Sequence, residues 1–376
     1  MSNPTVSTTY ADSKSHYKIL DGLRGVAAIV VVAFHLFEIF AGGDHLKQII
    51  NHGYLAVDFF FVLSGFVIGY AYDDRWERMS LKDFFKRRLI RLHPMIIIGM
   101  VVGAIGYYFS ASPVLFPQIS DTPFLTMILV MFIGFTLLPV PPTLDIRGWG
   151  EMHPLNGPAW SLFFEYIANL LYALFIRKWS NTALSVLVIL TGAATIHLAV
   201  TSPQGDLIGG WSVEPGQLRI GFTRLLYPFF AGLLLSRVAK PGKVKNAFLW
   251  CSLLIIGVLS FPRVGGSDQL WMNGLYDALS VILVFPLIVY LGASGEVRGK
   301  FMTGLSRFLG DISYPIYITH YPLIYIFASW VVDNNKTMAE AWPMALLVLV
   351  SAIAIAYGSL KLYDIPVRKW LAKRYL

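Results

Sequence analysis

Residues 20–40 read LDGLRGVAAIVVVAFHLFEIF. As a helix, this run is long enough to cross a hydrocarbon core of about 30 Å. It nevertheless carries Arg24 near one end and His35 beyond its middle, eleven positions apart. Eleven residues make three helical turns plus about 20°, so both side chains share one face, roughly 16 Å apart along the axis. Intramembrane ionisable groups are costly, face a bundle interior or a wet cavity, and mark function. Glu38, three residues after His35, falls on the same face. It either couples to the imidazole and fixes its tautomer or sits at the outer headgroup boundary.

The rest of the chain agrees with that membrane reading. Of 376 residues, 56% are hydrophobic, 15% aromatic and only 14% charged, with mean hydropathy +0.61. Soluble domains carry about a quarter charged residues, so the expected fold class is an all-α integral membrane protein. The net charge of +8 is not a nucleic-acid signal, because the cations cluster in short loops as the positive-inside rule requires. A lone cysteine, Cys251, excludes a disulfide within one chain and lies in an apolar run unlike a nucleophile's setting. There is no Gly-rich nucleotide loop, no G-x-S-x-G and no Cys/His metal spacing, so no metal is expected. His16, His45, His52, His153 and His197 fall in tails, loops or helix ends.

Apolar segments of spanning length lie near 20–40, 54–71, 92–109, 123–140, 157–176, 182–200, 219–236, 247–262, 275–293, 312–332 and 342–360. Basic clusters at Arg75 to Arg91, Arg177–Lys178, Arg237 to Lys245, Arg298 to Arg307 and Arg368 to Arg374 mark the cytoplasmic side. Parity then requires that 92–109 or 123–140 fail to cross, with Pro94, Pro139, Pro141 and Pro142 supplying the breaks. The expectation is about ten transmembrane helices plus one re-entrant or broken helix, with both termini cytoplasmic. Residues 1–17 are polar and lack a signal peptide's apolar core. They read as a cytoplasmic tail, and 18–376 as one membrane domain without repeats or linkers.

Several polar groups interrupt the apolar runs. GYLAVDFFFVLSGFVIGYAY places Asp58 toward the outer end of the second segment, either in the active cavity or at interfacial water. In KRRLIRLHP, Arg88 and Arg91 project from one side of a helix. They are topology anchors or a clamp whose guanidinium groups grip phosphate oxygens. NGPAWSLFFEY puts Glu165 about two turns into a helix. There it pairs with a buried arginine such as Arg224, or orients His35. DISYPIYITHYP lines up Ser313, Tyr317 and His320 on one face, as an interhelical hydrogen-bond seam or a polar tunnel. Arg219, Arg224 and Asp277 lie toward the outer face, and Arg219 is expected to snorkel.

In order along residues 18–370, these motifs resemble the acyltransferase-3 family of multi-pass membrane O-acyltransferases. Arg24 and His35 match the family's arginine-ten residues-histidine pattern. Val57 to Phe66 match V-D-x-F-F-x-x-S-G-F, and Arg88 with Arg91 match R-x-x-R. Trp160 to Glu165 match W-S-L-x-x-E, and Ser313 to Pro322 match S-Y-x-x-Y-x-x-H-x-P. Two departures stand out. Phe164 precedes a lone Glu165 where relatives often have two carboxylates, and Asp364-Ile365-Pro366 replaces a glutamate before the final proline.

The resemblance implies transfer of an acyl group, often acetyl, from cytoplasmic acyl-CoA to a hydroxyl on a surface or lipid-linked glycan. It implies Arg24, Arg88 and Arg91 as the donor's phosphate site and His35 as general base. Glu165 would orient the imidazole, and Tyr317 or Ser313 would donate to the oxyanion. Asp58, Arg224, Asp277 and His320 are candidate substrate residues. The expected setting is the bacterial inner membrane. Many relatives carry a fused esterase-like domain, and here any such enzyme is expected to be a separate protein. The rival class is a transporter or flippase using the buried charges as a substrate or proton path.

Overall fold

The computed structural model describes residues 17–376, so the expected tail lies almost wholly outside the described residues. The helices are α1 (Lys18–Glu38), α2 (Ala56–Tyr72), α3 (Leu81–Tyr107), α4 (Gln118–Asp121), α5 (Phe124–Phe135), α6 (Ala159–Leu174), α7 (Asn181–Thr201) and α8 (Pro215–Val238). They are followed by α9 (Ala247–Leu259), α10 (Leu270–Leu279), α11 (Phe285–Ala293), α12 (Lys300–Thr319), α13 (Tyr321–Asp333), α14 (Met338–Ser359) and α15 (Ile365–Tyr375). The extended pairing among the described residues is a parallel pair of two-residue strands, Val244–Lys245 beside Gly295–Glu296, and an isolated bridge between Ser112 and Phe116.

Local chemistry sets several helix starts. Ser80 and Asp83 form a reciprocal capping box that opens α3, and Thr337 with Glu340 does the same for α14. Single π-turns, Ser280–Val284 and Leu360–Asp364, join α10 to α11 and α14 to α15. Such turns recur at functional sites.

Among the described residues, seven helical stretches are long and apolar enough to cross a membrane, and an eighth is α12 with α13, bent by 55°. The expected count of about ten is therefore not reached by long helices. Segments expected at 157–176 and 247–262 fold as helices of 16 and 13 residues. Of the two segments set against each other by parity, 92–109 lies in the 27-residue α3 and the short 3₁₀ turn Tyr108–Ser110 that extends it. The other, 123–140, yields only the 12-residue α5, about 18 Å long. Pro94 does not break α3, which runs through it. Instead α5 ends where Leu137 takes a left-handed conformation at φ 61°, ahead of Pro139, Pro141 and Pro142.

Two close helix pairings organise the bundle, α1 along α12 and α2 along α8. In the second, a Cβ on Gly65 would collide with the Phe229 carbonyl, and one on Gly232 with the Val62 carbonyl. Small residues let backbones approach where lipid offers no hydrophobic drive between helices. Replacing Gly65 with Leu is expected to separate α2 from α8. The loss should read as a fall in thermal midpoint in detergent, from overpacking that costs at least about 1–3 kcal/mol.

Candidate active site

α1, α2, α3, α6, α12 and the π-turn before α15 enclose a cavity of about 940 Å³. Arg24, Arg88, Arg91, Glu165, Ser313 and Tyr317 all line it, so six of the residues singled out in the sequence meet there. Arg24 Nε donates to Ser313 Oγ at 2.9 Å, and its terminal nitrogen lies 3.1 Å from Asp21. Ser313 donates in turn to the Gly310 carbonyl at 2.8 Å. Its only proton is thereby spent, and Ser313 holds Arg24 rather than offering itself to an oxyanion.

Arg88 pairs with Glu165 at 2.7 Å, and Ser64 donates to the same Glu165 oxygen at 2.8 Å. Glu165 therefore does not orient His35; it fixes a guanidinium on the cavity wall. Arg91 lines the same cavity with no hydrogen bond or ion pair among the described residues. Asp364, on the π-turn, meets Arg368 at 3.2 Å through one oxygen, while the other is buried without a partner. The departure from the glutamate pattern thus falls in the cavity wall itself.

Tyr317 and Ser161 share a hydroxyl–hydroxyl bond of 2.7 Å at the edge of this space. Both line the cavity, whereas His35 and His320 do not. His320 occupies the 55° break between α12 and α13. Its Nδ1 faces the carbonyls of Ile316 and Tyr317 at 2.9 Å each. Carbonyls only accept, so the neutral ring carries its proton on Nδ1, and the buried Nε2 has no partner.

The His320 ring stacks on His35 with centroids 5.6 Å apart, and Tyr321 meets His35 edge-on at 4.7 Å. The carboxylate partner of His35 is Glu38, with Oε2 2.8 Å from Nδ1. The pairing matches the coupled reading of Glu38, and the carboxylate keeps an exposed edge. A proton held on Nδ1 by a carboxylate leaves Nε2 with a lone pair, the arrangement of a general base and its orienting acid.

Asp58, Arg224 and Asp277 do not join the cavity. Arg224 bonds Asp58 at 2.7 Å and the carbonyls of Tyr54 and Gly209 at 2.7 and 3.0 Å. Asp277 accepts from Tyr54 at 2.7 Å and from the Leu207 amide at 3.0 Å, and meets His52 at 2.9 Å. All three are buried with their polar groups committed inside the protein, and none of them lines this cavity. Arg224 also takes Asp58, not Glu165, as its carboxylate. Among the described residues no group of three or more His, Cys, Asp or Glu is placed to hold a metal.

Sequence reasoning did not single out Ser161, His52, Tyr321 or Tyr325 as site residues. Ser161 was findable, since it sits inside the W-S-L motif. The others depend on how helix ends and loops pack. Replacing Arg224 with Ala strands the Asp58 carboxylate and is expected to cost roughly 3–5 kcal/mol, read as loss of folded protein in detergent. A paired Asp58→Leu, Arg224→Met variant should recover most of that loss.

Residues 17–360 match the family model described as an acyltransferase domain. The chain is 36% identical over 193 residues to "Protein 2 in picA locus" of Rhizobium radiobacter, covering 48% of this chain and 93% of that protein. It is 25% identical over 364 residues to "O-acetyltransferase OatA" of Staphylococcus aureus, covering 93% of this chain and 57% of that one. To "Peptidoglycan O-acetyltransferase OatA" of Listeria monocytogenes it is 24% identical over 377 residues, 95% of this chain and 56% of that one. The chain thus spans just over half the length of these O-acetyltransferases. No solved structure matches. With its ordered motifs gathered around one cavity between the helices, the chain belongs to the acyltransferase-3 family of multi-pass membrane acyltransferases.

Proposed function

We propose that this protein transfers an acyl group, acetyl foremost, from acyl-CoA in the cytoplasm to a hydroxyl of a surface or lipid-linked glycan. Residues 18–376 act as one membrane unit, with both termini cytoplasmic, in a bacterial inner membrane. The observation that carries the reading is the joint placement of Arg24, Arg88 and Arg91 in the cavity that Tyr317 and Ser161 also line. Guanidinium forks suit a phosphorylated donor, and relatives whose printed names are O-acetyltransferase cover nearly the whole chain.

The chain's residues then divide the work. Arg91 is free to take a phosphate, while Glu165 and Ser313 hold Arg88 and Arg24 in place. The donor's thioester lies toward Tyr317, and the Tyr317–Ser161 pair opens during turnover because His35 stands beyond it. His35 Nε2 removes the proton from the acceptor hydroxyl, whose oxygen bonds to the acyl carbon as the carbon–sulfur bond breaks. The departing thiolate takes up the proton, so the imidazole returns to its starting form. Glu38 steadies the transient imidazolium, and Tyr317 supplies the hydroxyl donor to the developing oxyanion.

Purified protein is expected to release thiol from acetyl-CoA only when a hydroxyl acceptor is present; solute flux without thiol release would move the protein to the transporter class. Replacing His35 with Ala should lower transfer by about 10²–10⁴ without lowering the thermal midpoint, and near-normal turnover would remove His35 from the chemistry. Replacing Arg88 with Ala should raise the donor KM while changing kcat less, as measured in initial rates against acetyl-CoA concentration. An unchanged donor KM would return Arg88 to a packing role.

A further inference from the structure

Six cations and four carboxylates line the cavity of about 940 Å³. Arg24, Arg88 and Arg368 each meet one of those carboxylates, Asp21 at 3.1 Å, Glu165 at 2.7 Å and Asp364 at 3.2 Å. Lys18, Arg91 and Arg307 make no side-chain hydrogen bond or ion pair among the described residues. Against these three stands Asp311, one turn past Arg307 and exposed. The lining therefore carries a surplus of positive charge.

Two of the three unpaired cations lie where the cavity meets solvent. Lys18 is the first residue of α1 and Arg307 lies two turns into α12, and both are exposed. The two helices run side by side in the same direction. Ser306 donates to the Lys18 carbonyl at 3.3 Å, and Arg24 donates to Ser313 at 2.9 Å. A Cβ on Gly22 would collide with Ser306, and one on Gly25 with the Leu309 carbonyl, so close approach fixes this register. Lys18 precedes Arg24 by six residues, and Arg307 precedes Ser313 by six. On both helices, then, an unpaired cation stands about 9 Å along the axis from the Arg24–Ser313 bond. The cavity offers cationic groups at two depths.

Basic residues at helix starts ordinarily anchor topology among lipid headgroups. Arg298 and Lys300, in the same basic run as Arg307, fit that role. Neither lines the cavity, and Arg298 pairs with Glu296 at 3.4 Å. Lys18 and Arg307 border the enclosed space itself. We propose that Lys18 and Arg307 form an outer anion subsite, which takes the ribose 3′-phosphate of coenzyme A while the inner arginines take its diphosphate. This deepens the proposed function and rests on it, because it presumes a coenzyme A thioester as donor. The two anionic groups of that molecule are separated by a nucleoside, which suits two cation levels. A phosphopantetheine carried on a protein has a single phosphate and offers the outer pair nothing. Since both outer side chains are exposed, their contribution weakens as ionic strength rises.

The test measures Kd for coenzyme A and for 3′-dephospho-coenzyme A on the purified chain in detergent, by calorimetry. Native protein is expected to bind coenzyme A at least about tenfold more tightly, the scale of one charge-assisted hydrogen bond. The double variant Lys18→Gln, Arg307→Gln keeps both stems and removes both charges, and its ratio should fall to near one. Removing the same charge outside the cavity, in Arg298→Gln, Lys300→Gln, should leave the ratio at its native value. Should the cavity variant fail to fold, Arg307→Gln alone is expected to lower the ratio part of the way. Three results would overturn the subsite while leaving the acyltransferase reading intact. These are equal native affinity for the two compounds, an unchanged ratio in the cavity variant, or an equal fall in both double variants. Native protein that binds neither compound would overturn the coenzyme A donor and this inference with it.

Discussion

A guanidinium taken into a low-dielectric interior must bring its partners with it, and Arg224 is where this bundle meets that requirement fully. Asp58 takes the charge at 2.7 Å, and the carbonyls of Tyr54 and Gly209 take two further donors. The bond ties α2 to α8 beside the glycine contacts that let those helices touch. A pair of this kind is weak evidence for net stability, but removing one member is costly. The contrast with the cavity follows directly. Arg88 is held by one carboxylate and keeps Nε buried without a partner, and Arg91 makes no hydrogen bond or ion pair among the described residues. Satisfied charge builds the frame, and guanidinium groups with donors to spare line the cavity.

The break at His320 does comparable work on the other side of Tyr317. Pro322 sits in the first turn of α13, where its missing N–H costs little. The 55° bend it accompanies swings Tyr321 and Tyr325 away from the α12 axis. In an unbroken helix, His320 would continue the face carrying Ser313 and Tyr317. The bend instead lays its ring on His35 and packs Tyr321 against both His35 and Tyr325.

Which residues share a face of one helix was legible in the sequence from periodicity, whereas the gathering of several helices around one cavity came only with the family resemblance. Arg24, Arg88, Arg91, Glu165, Ser313 and Tyr317 stand on faces fixed by helical spacing, and the structure brings all six together. Partner choice was not legible. Glu165 was set against His35 or Arg224, but relative helix rotation gives it Arg88, and Glu38 one turn along takes the imidazole. Asp58 and Asp277 have the depth of substrate residues, yet loop segments at Tyr54, Leu207 and Gly209 close over them. Helix lengths misled for a related reason. Apolar content continues past Phe135, but the chain turns away at Leu137, whose left-handed backbone no hydropathy window registers.

The unequal helices give the protein an uneven rim. On one flank α14 and α15 form a 38-residue stretch only 17% buried in its most apolar window. On another, α5 offers 12 residues with Phe124, Leu125 and Phe132 turned outward. At about 18 Å, α5 is too short to cross a hydrocarbon core averaging about 30 Å. It packs against α3, which carries Arg88 and Arg91, so the arginine-bearing wall of the cavity is backed on that flank by a helix that cannot itself span.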